Sequence, residues 1–144
     1  MVLVLTKLIY YFYFVERYLN MQYKIDTKDN FDIITPLYAQ FDSKLSDQLN
    51  DLVDDSRENG RSLLIDFIEI QTMSDENVKL LETLHNEMYQ ENLSFVLCHF
   101  HTQCKQKVAE FELEHVLNMA PTLIEAIDII SMEGLERELL DEHD

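Results

Sequence analysis

The chain from Ser62 to Val78 reads SLLIDFIEIQTMSDENV, and it changes character in the middle. Its first part, through Ile70, is a run of aliphatic and β-branched side chains, long enough for a central strand buried on both faces. Beyond Thr72 the spacing becomes helical: Val78, Leu81, Leu84 and Met88 recur on one face, which predicts a helix from about Asp75 to Gln90. A buried strand that feeds a helix is the unit from which α/β folds are built. The junction holds Ser74, Asp75 and Glu76, a polar cluster that is either a helix cap or a site.

The alternation continues in both directions. Toward the N-terminus, YKIDT (Tyr23 to Thr27) and FDIITP (Phe31 to Pro36) are short β-rich runs separated by the polar turn Lys28-Asp29-Asn30, and they read as a hairpin. Asp42 and Ser43 are candidate N-caps for a helix with Leu45, Leu49, Leu52 and Val53 inward. Gly60 is its stop, because glycine accepts the left-handed conformation that ends many helices. Toward the C-terminus, LSFVLCHF (Leu93 to Phe100) reads as a second interior strand, Gln103 to Glu112 as a helix with Val108 and Phe111 inward, and HVLNM as a short strand ended by Pro121. Thr122-Leu123-Ile124-Glu125 fits a capping box, in which the threonine hydroxyl and the glutamate carboxylate each accept from the other residue's backbone N–H. Leu123, Ala126, Ile127 and Ile130 then face inward. The expected fold class is α/β, a mixed, mostly parallel β-sheet with about four α-helices packed on it.

Composition bounds the function. The chain has 144 residues and 47% apolar content, enough for one domain with a real core. With 28 acidic against 11 basic residues the net charge is −17, so its surface repels phosphate backbones and nucleic acid is not an expected partner. Cys98 and Cys104 have neither zinc-knuckle nor redox-pair spacing, which suits a reducing compartment and reads as cytoplasmic. Residues 1–20 differ, holding Lys7 and Arg17 against one acid, Glu16. Their apolar run LIYYFYFV (Leu8 to Val15) falls short of the roughly 20 residues that span a bilayer, and no small-residue cleavage site follows it. Met21 looks like a natural start, so residues 1–20 are read as an over-extended gene start or an appendage, with an interfacial anchor as the alternative. Residues 21–131 are the expected domain, and 132–144 an acidic tail expected to be a solvated helix extension that frays, with docking of Leu135, Leu139 and Leu140 on a partner as the alternative.

The order of these pieces resembles a known family. Leu64-Ile65-Asp66-Phe67, the strand-to-helix junction, SFVLCHF, and then LEHVLNMAPTLIEAIDII are similar to the STAS domain of anti-sigma factor antagonists over roughly Met21 to Ile130, and Thr122 to Ala126 resembles that family's closing T-x-x-E-A motif. The resemblance implies partner switching. The unmodified domain binds an anti-sigma factor that is also a serine kinase, and phosphorylation of a serine at the start of the second helix releases it. The family's motif there is D-S-S-G or D-S-T-G followed by an aliphatic residue. On this sequence it falls on Ser74-Asp75-Glu76-Asn77-Val78, so Glu76 stands at the phosphoacceptor position and Asn77 at the glycine; only Val78 conforms. Phe41-Asp42 matches the family's hydrophobic-Asp pattern before the first helix, which implies that Asp42 lies beside this junction.

Two readings of the junction follow. Phosphoserine carries about −1.5 to −2 charges, and a helix N-terminus receives an anion well; Glu76 supplies one negative charge permanently and Asp75 another. The simpler reading is capping by Thr72 or Ser74, with both acids placed where the helix dipole favours them. Ser74 is an unlikely substitute acceptor, since a capping hydroxyl is already engaged. The expected partner-binding residues are Asp42, Ser43, Ser74, Asp75, Glu76, Asn77 and Val78, and the expected partner is an anti-sigma factor, a serine-kinase-like protein or another STAS domain. The alternatives are an accessory subunit on the ATPase of an ABC lipid-transport system and a homotypic scaffold. His99 and His101 alternate on a strand with Cys104 close by, a donor set that zinc accepts, but strand-end histidines and a buried thiol are the ordinary case and no metal is expected. Gly60 and Gly134 are the only glycines, too few for a nucleotide-binding loop, so no cofactor, small-molecule substrate or enzymatic activity is expected.

Overall fold

The computed structural model describes residues 2–19 and 22–142. Five strands form the main sheet in the order β1-β2-β4-β6-β7. β1 (Tyr23–Thr27) and β2 (Phe31–Pro36) make the expected antiparallel hairpin, and β4 (Ser62–Asp66), β6 (Phe95–Cys98) and β7 (Asn118–Ala120) add to β2 in parallel. Parallel neighbours need a crossover, which α2 (Ser43–Asn59), α3 (Asp75–Gln90) and α4 (Thr102–Glu110) supply. Two further strands, β3 (Gln40–Phe41) and β5 (Thr72–Met73), pair only with each other.

The alternation of side chains along the central strands sorts the core into two layers. Ile34, Leu63, Ile65, Phe95 and Leu97 pack with Leu45, Leu49 and Val53 of α2, Val78, Leu81 and Leu84 of α3, and Val108 of α4. Ile33, Leu64, Val96 and Cys98 face the other way, onto Ala126 and Ile130 of α5 (Leu123–Glu142). Both central strands are therefore buried throughout, as expected of a continuous aliphatic run. α2 begins at its Asp42 cap and ends at Gly60, whose φ of 65° is the left-handed turn that glycine makes at no steric cost. At the opening of α5, Thr122 Oγ1 accepts from the N–H of Glu125 at 3.2 Å.

Two expectations change. The strand read as Ser62 to Ile70 ends at Asp66, because the Asp66 carboxylate accepts from the N–H of Ile68 at 3.0 Å and folds the backbone into a turn. The interior strand read as Leu93 to Phe100 is confined to Phe95–Cys98, since His99 takes a φ of 59°. Residues 132–142 continue α5. There α5 is held to the domain by Glu133, which accepts from the Tyr89 hydroxyl at 2.7 Å, and by Arg137, whose Nη2 donates to the fully buried Ser94 at 2.9 Å. At the other end, α1 (Val2–Leu19) exposes every side chain described, from Val2 to Phe12, and no described helix is long and apolar enough to cross a membrane. Met21, the proposed natural start, lies outside the described residues.

The Tyr89 hydroxyl ties three elements together, donating to Glu133 of α5 and accepting from Asn118 Nδ2 of β7 at 3.0 Å. Burial pushes its pKa up to about 12, with the Glu133 carboxylate adding to the shift. The neutral phenol is thus favoured in the folded state. Its contribution is complete below pH about 10 and is lost as pH rises toward about 12. Tyr89→Phe is expected to cost about 1–3 kcal/mol in denaturant unfolding at neutral pH, and the gap between wild type and variant should close across that alkaline window.

Candidate partner-binding site

The small β3–β5 ladder sets the site. Gln40 pairs with Thr72 and Phe41 with Met73, in parallel. The next residue on each strand, Asp42 on one and Ser74 on the other, is a helix N-cap. The ladder register therefore brings the N-termini of α2 and α3 side by side. Asp42 Oδ1 accepts from the N–H groups of Lys44 at 3.1 Å and Leu45 at 3.4 Å, and Ser74 Oγ from that of Asn77 at 3.4 Å. Four free backbone donors begin each helix, so each cap satisfies only part of the set.

Other groups lock the pair. Asn77 is buried, and its Nδ2 donates to the carbonyl of Phe41 at 2.6 Å, joining α3 to β3 directly. From α4, Gln103 accepts from the N–H of Met73 at 3.1 Å and donates back to its carbonyl. Between the two helix starts lies a surface pocket of about 470 Å³, rimmed by Gln40, Asp42, Ser43, Ser46, Ser74 and Glu76, with the buried Phe41 and Met73 beneath.

No family model and no curated relative matches the sequence. Solved structures do match. The chain is similar to an anti-sigma factor antagonist (STAS) domain protein from Planctomyces limnophilus, at 14% identity and a TM-score of 0.65, covering 76% of this chain and 97% of that one. It is equally similar to a serine-to-glutamate variant of RsbS from Moorella thermoacetica, at 16% identity and 0.65, over 81% of this chain and 99% of that one. An anti-sigma factor antagonist from Mycobacterium paratuberculosis matches at 14% and 0.66, over 76% and 92%. The chain has the STAS fold.

Within this STAS fold, five of the seven expected residues converge: Asp42, Ser43, Ser74, Glu76 and Asn77 all line the pocket. Asp75 is exposed on the same turn but is engaged by Lys107 of α4, and the Asp75 carboxylate, with Glu110 adding, holds that ammonium above the ordinary lysine range. Asn77 and Val78 lie deeper. Val78 is fully buried in the core beneath α3, and Asn77, in the pocket wall, is buried with its side chain donating to the Phe41 carbonyl. Of the two proposed caps, Ser74 fills the position while Thr72 lies in β5.

The trio His99, His101 and Cys104 is not brought together as strand alternation implied. β6 stops at Cys98; His101 Nε2 lies 2.7 Å from the carbonyl of Ile68, and Cys104 is sealed in the main core, where burial raises its thiol pKa to about 11. His99 Nδ1 instead lies 2.8 Å from the carboxylate of Asp66. Sequence reading passed over Asp66 and Gln103. Asp66 left a signal, since an acid inside an aliphatic run has to find partners when buried, whereas Gln103 left none.

The lock has a measurable cost. Asn77→Ala, which strands the Phe41 carbonyl, is expected to destabilise the domain by about 1–3 kcal/mol, and Asp42→Ala by about 1 kcal/mol. Because both changes loosen the same pair of helix starts, a double-mutant cycle in chemical denaturation should show coupling above about 0.5 kcal/mol.

Proposed function

We propose that this protein is a non-enzymatic regulatory module that acts as an anti-sigma factor antagonist does, binding a protein partner through the paired N-termini of α2 and α3. The observation that carries this reading is the position of Glu76, exposed at the first turn of α3 and lining the pocket beside Asp42, Ser43 and Ser74. The resemblance to STAS antagonists implies a switching serine at that position. A glutamate there brings a carboxylate to the helix start that no kinase or phosphatase changes, where phosphoserine would carry about −1.5 to −2 reversibly. The domain is thus fixed in one state of the switch and selects a partner by a constant charge. The partner is an anti-sigma factor, a serine-kinase-like protein or a further STAS domain.

Affinity capture with the full chain, followed by titration of the recovered partner, tests this. Glu76→Arg is expected to weaken binding at least tenfold, about 1.4 kcal/mol, while leaving the thermal midpoint within a few degrees. Phosphopeptide mapping should find Ser74 unmodified. Unchanged affinity in Glu76→Arg would sink the proposed docking face; recovery of an ABC ATPase, or of this chain alone, would replace the antagonist role with a transport subunit or a homotypic scaffold.

A further inference from the structure

We propose that Asp66, Cys98 and His99 form a three-ligand site for a zinc-class divalent cation at the C-terminal edge of the main sheet. The site is built by register. Asp66 and Cys98 are paired residues at the ends of the parallel strands β4 and β6, and paired residues of neighbouring strands project from the same face. His99 follows directly, and its φ of 59° is a left-handed conformation that residues other than glycine seldom adopt. With that backbone its Nδ1 comes within 2.8 Å of Asp66 Oδ1 and 4.0 Å of Cys98 Sγ. One donor atom from each of the three residues lies within 4.8 Å of the others.

Those distances suit a metal. Donors bound to zinc at about 2.0–2.3 Å in tetrahedral geometry stand roughly 3.3–3.8 Å apart, so the carboxylate–imidazole contact has to open, and the thiol–imidazole contact to close, by well under about 1 Å. The donor set decides the class of ion. A thiolate, an imidazole and a carboxylate together suit zinc, whereas magnesium and calcium take oxygen ligands. Asp66 is already oriented, its carboxylate accepting from the N–H of Ile68. Asp66 and Cys98 are buried while His99 is partly exposed, so the fourth position opens on the histidine side, toward water or a ligand brought by a partner. Cys104 is not part of this donor cluster and lies in the main core.

The test uses the tag-free full chain after chelator treatment, titrated with cobalt(II) and then with zinc. The expected result is one equivalent of cobalt giving a sulfur-to-metal charge-transfer band with d–d absorption of tetrahedral intensity, both erased by zinc. Cys98→Ser should abolish the charge-transfer band, His99→Gln should weaken cobalt binding at least tenfold, and Cys104→Ser should change neither. Circular dichroism establishes that each variant is folded, and His99→Gln, altering a partly exposed side chain, decides the matter if Cys98→Ser is not. A wild-type chain without the sulfur band, or a band that survives in both variants, overturns the site and leaves Asp66, Cys98 and His99 a hydrogen-bonded cluster.

Discussion

Two residue pairs of parallel ladder, Gln40 with Thr72 and Phe41 with Met73, fix how two helix N-termini meet at the surface. So short a ladder is weak by itself. It persists because Phe41 and Met73 are buried beneath it, because Asn77 reaches back to the Phe41 carbonyl, and because Gln103 brackets the Met73 peptide from α4. The large sheet supplies the mass and the core. The small one sets the spacing and direction of two helices at the surface where they begin.

That arrangement carries an electrostatic cost which the sequence offsets locally. Two helix N-termini side by side bring like partial charges together, of roughly half an elementary charge each. Asp42 caps one of them, and Asp75 and Glu76 occupy the first turn of the other. Asp75 is then tied sideways to Lys107, which leaves Glu76 as the acid turned into the pocket. On a chain of net charge −17, one more carboxylate adds little to the overall field. Its effect comes from its position, at a helix start beside a cavity that a side chain can enter.

Much of the architecture was legible because each element signals in its own local code. The aliphatic runs around Leu64 and Val96, the glycine stop at Gly60 and the helical spacing of Val78 to Met88 require no knowledge of distant residues, and they placed the sheet and its crossovers. The strand ends were harder. Asp66 and His99 stop their strands through a side-chain turn and a left-handed backbone, and a hydrophobic run shows neither. One detail of the candidate site was out of reach for a related reason. Spacing identified the helix start, but whether Asn77 faces out or in depends on the Phe41 carbonyl, which lies 36 positions earlier in the chain and is brought there only by the fold.

The two faces of the main sheet are covered unequally: three helices on one side, α5 on the other. A single helix lying against a sheet leaves little room where it comes nearest, and Ala126 occupies that kind of position, fully buried among Leu64, Val96 and Cys98. The tolerance to drift is therefore uneven. Elsewhere the interior asks for apolar volume in the right pattern, which many sequences satisfy, and solved structures of 14–16% identity share the fold. At Ala126 a small side chain packs against Leu64, Val96 and Cys98, and at Thr122 a hydroxyl accepts from the N–H of Glu125, so the short stretch from Thr122 to Ala126 is constrained by size and by hydrogen bonding at once.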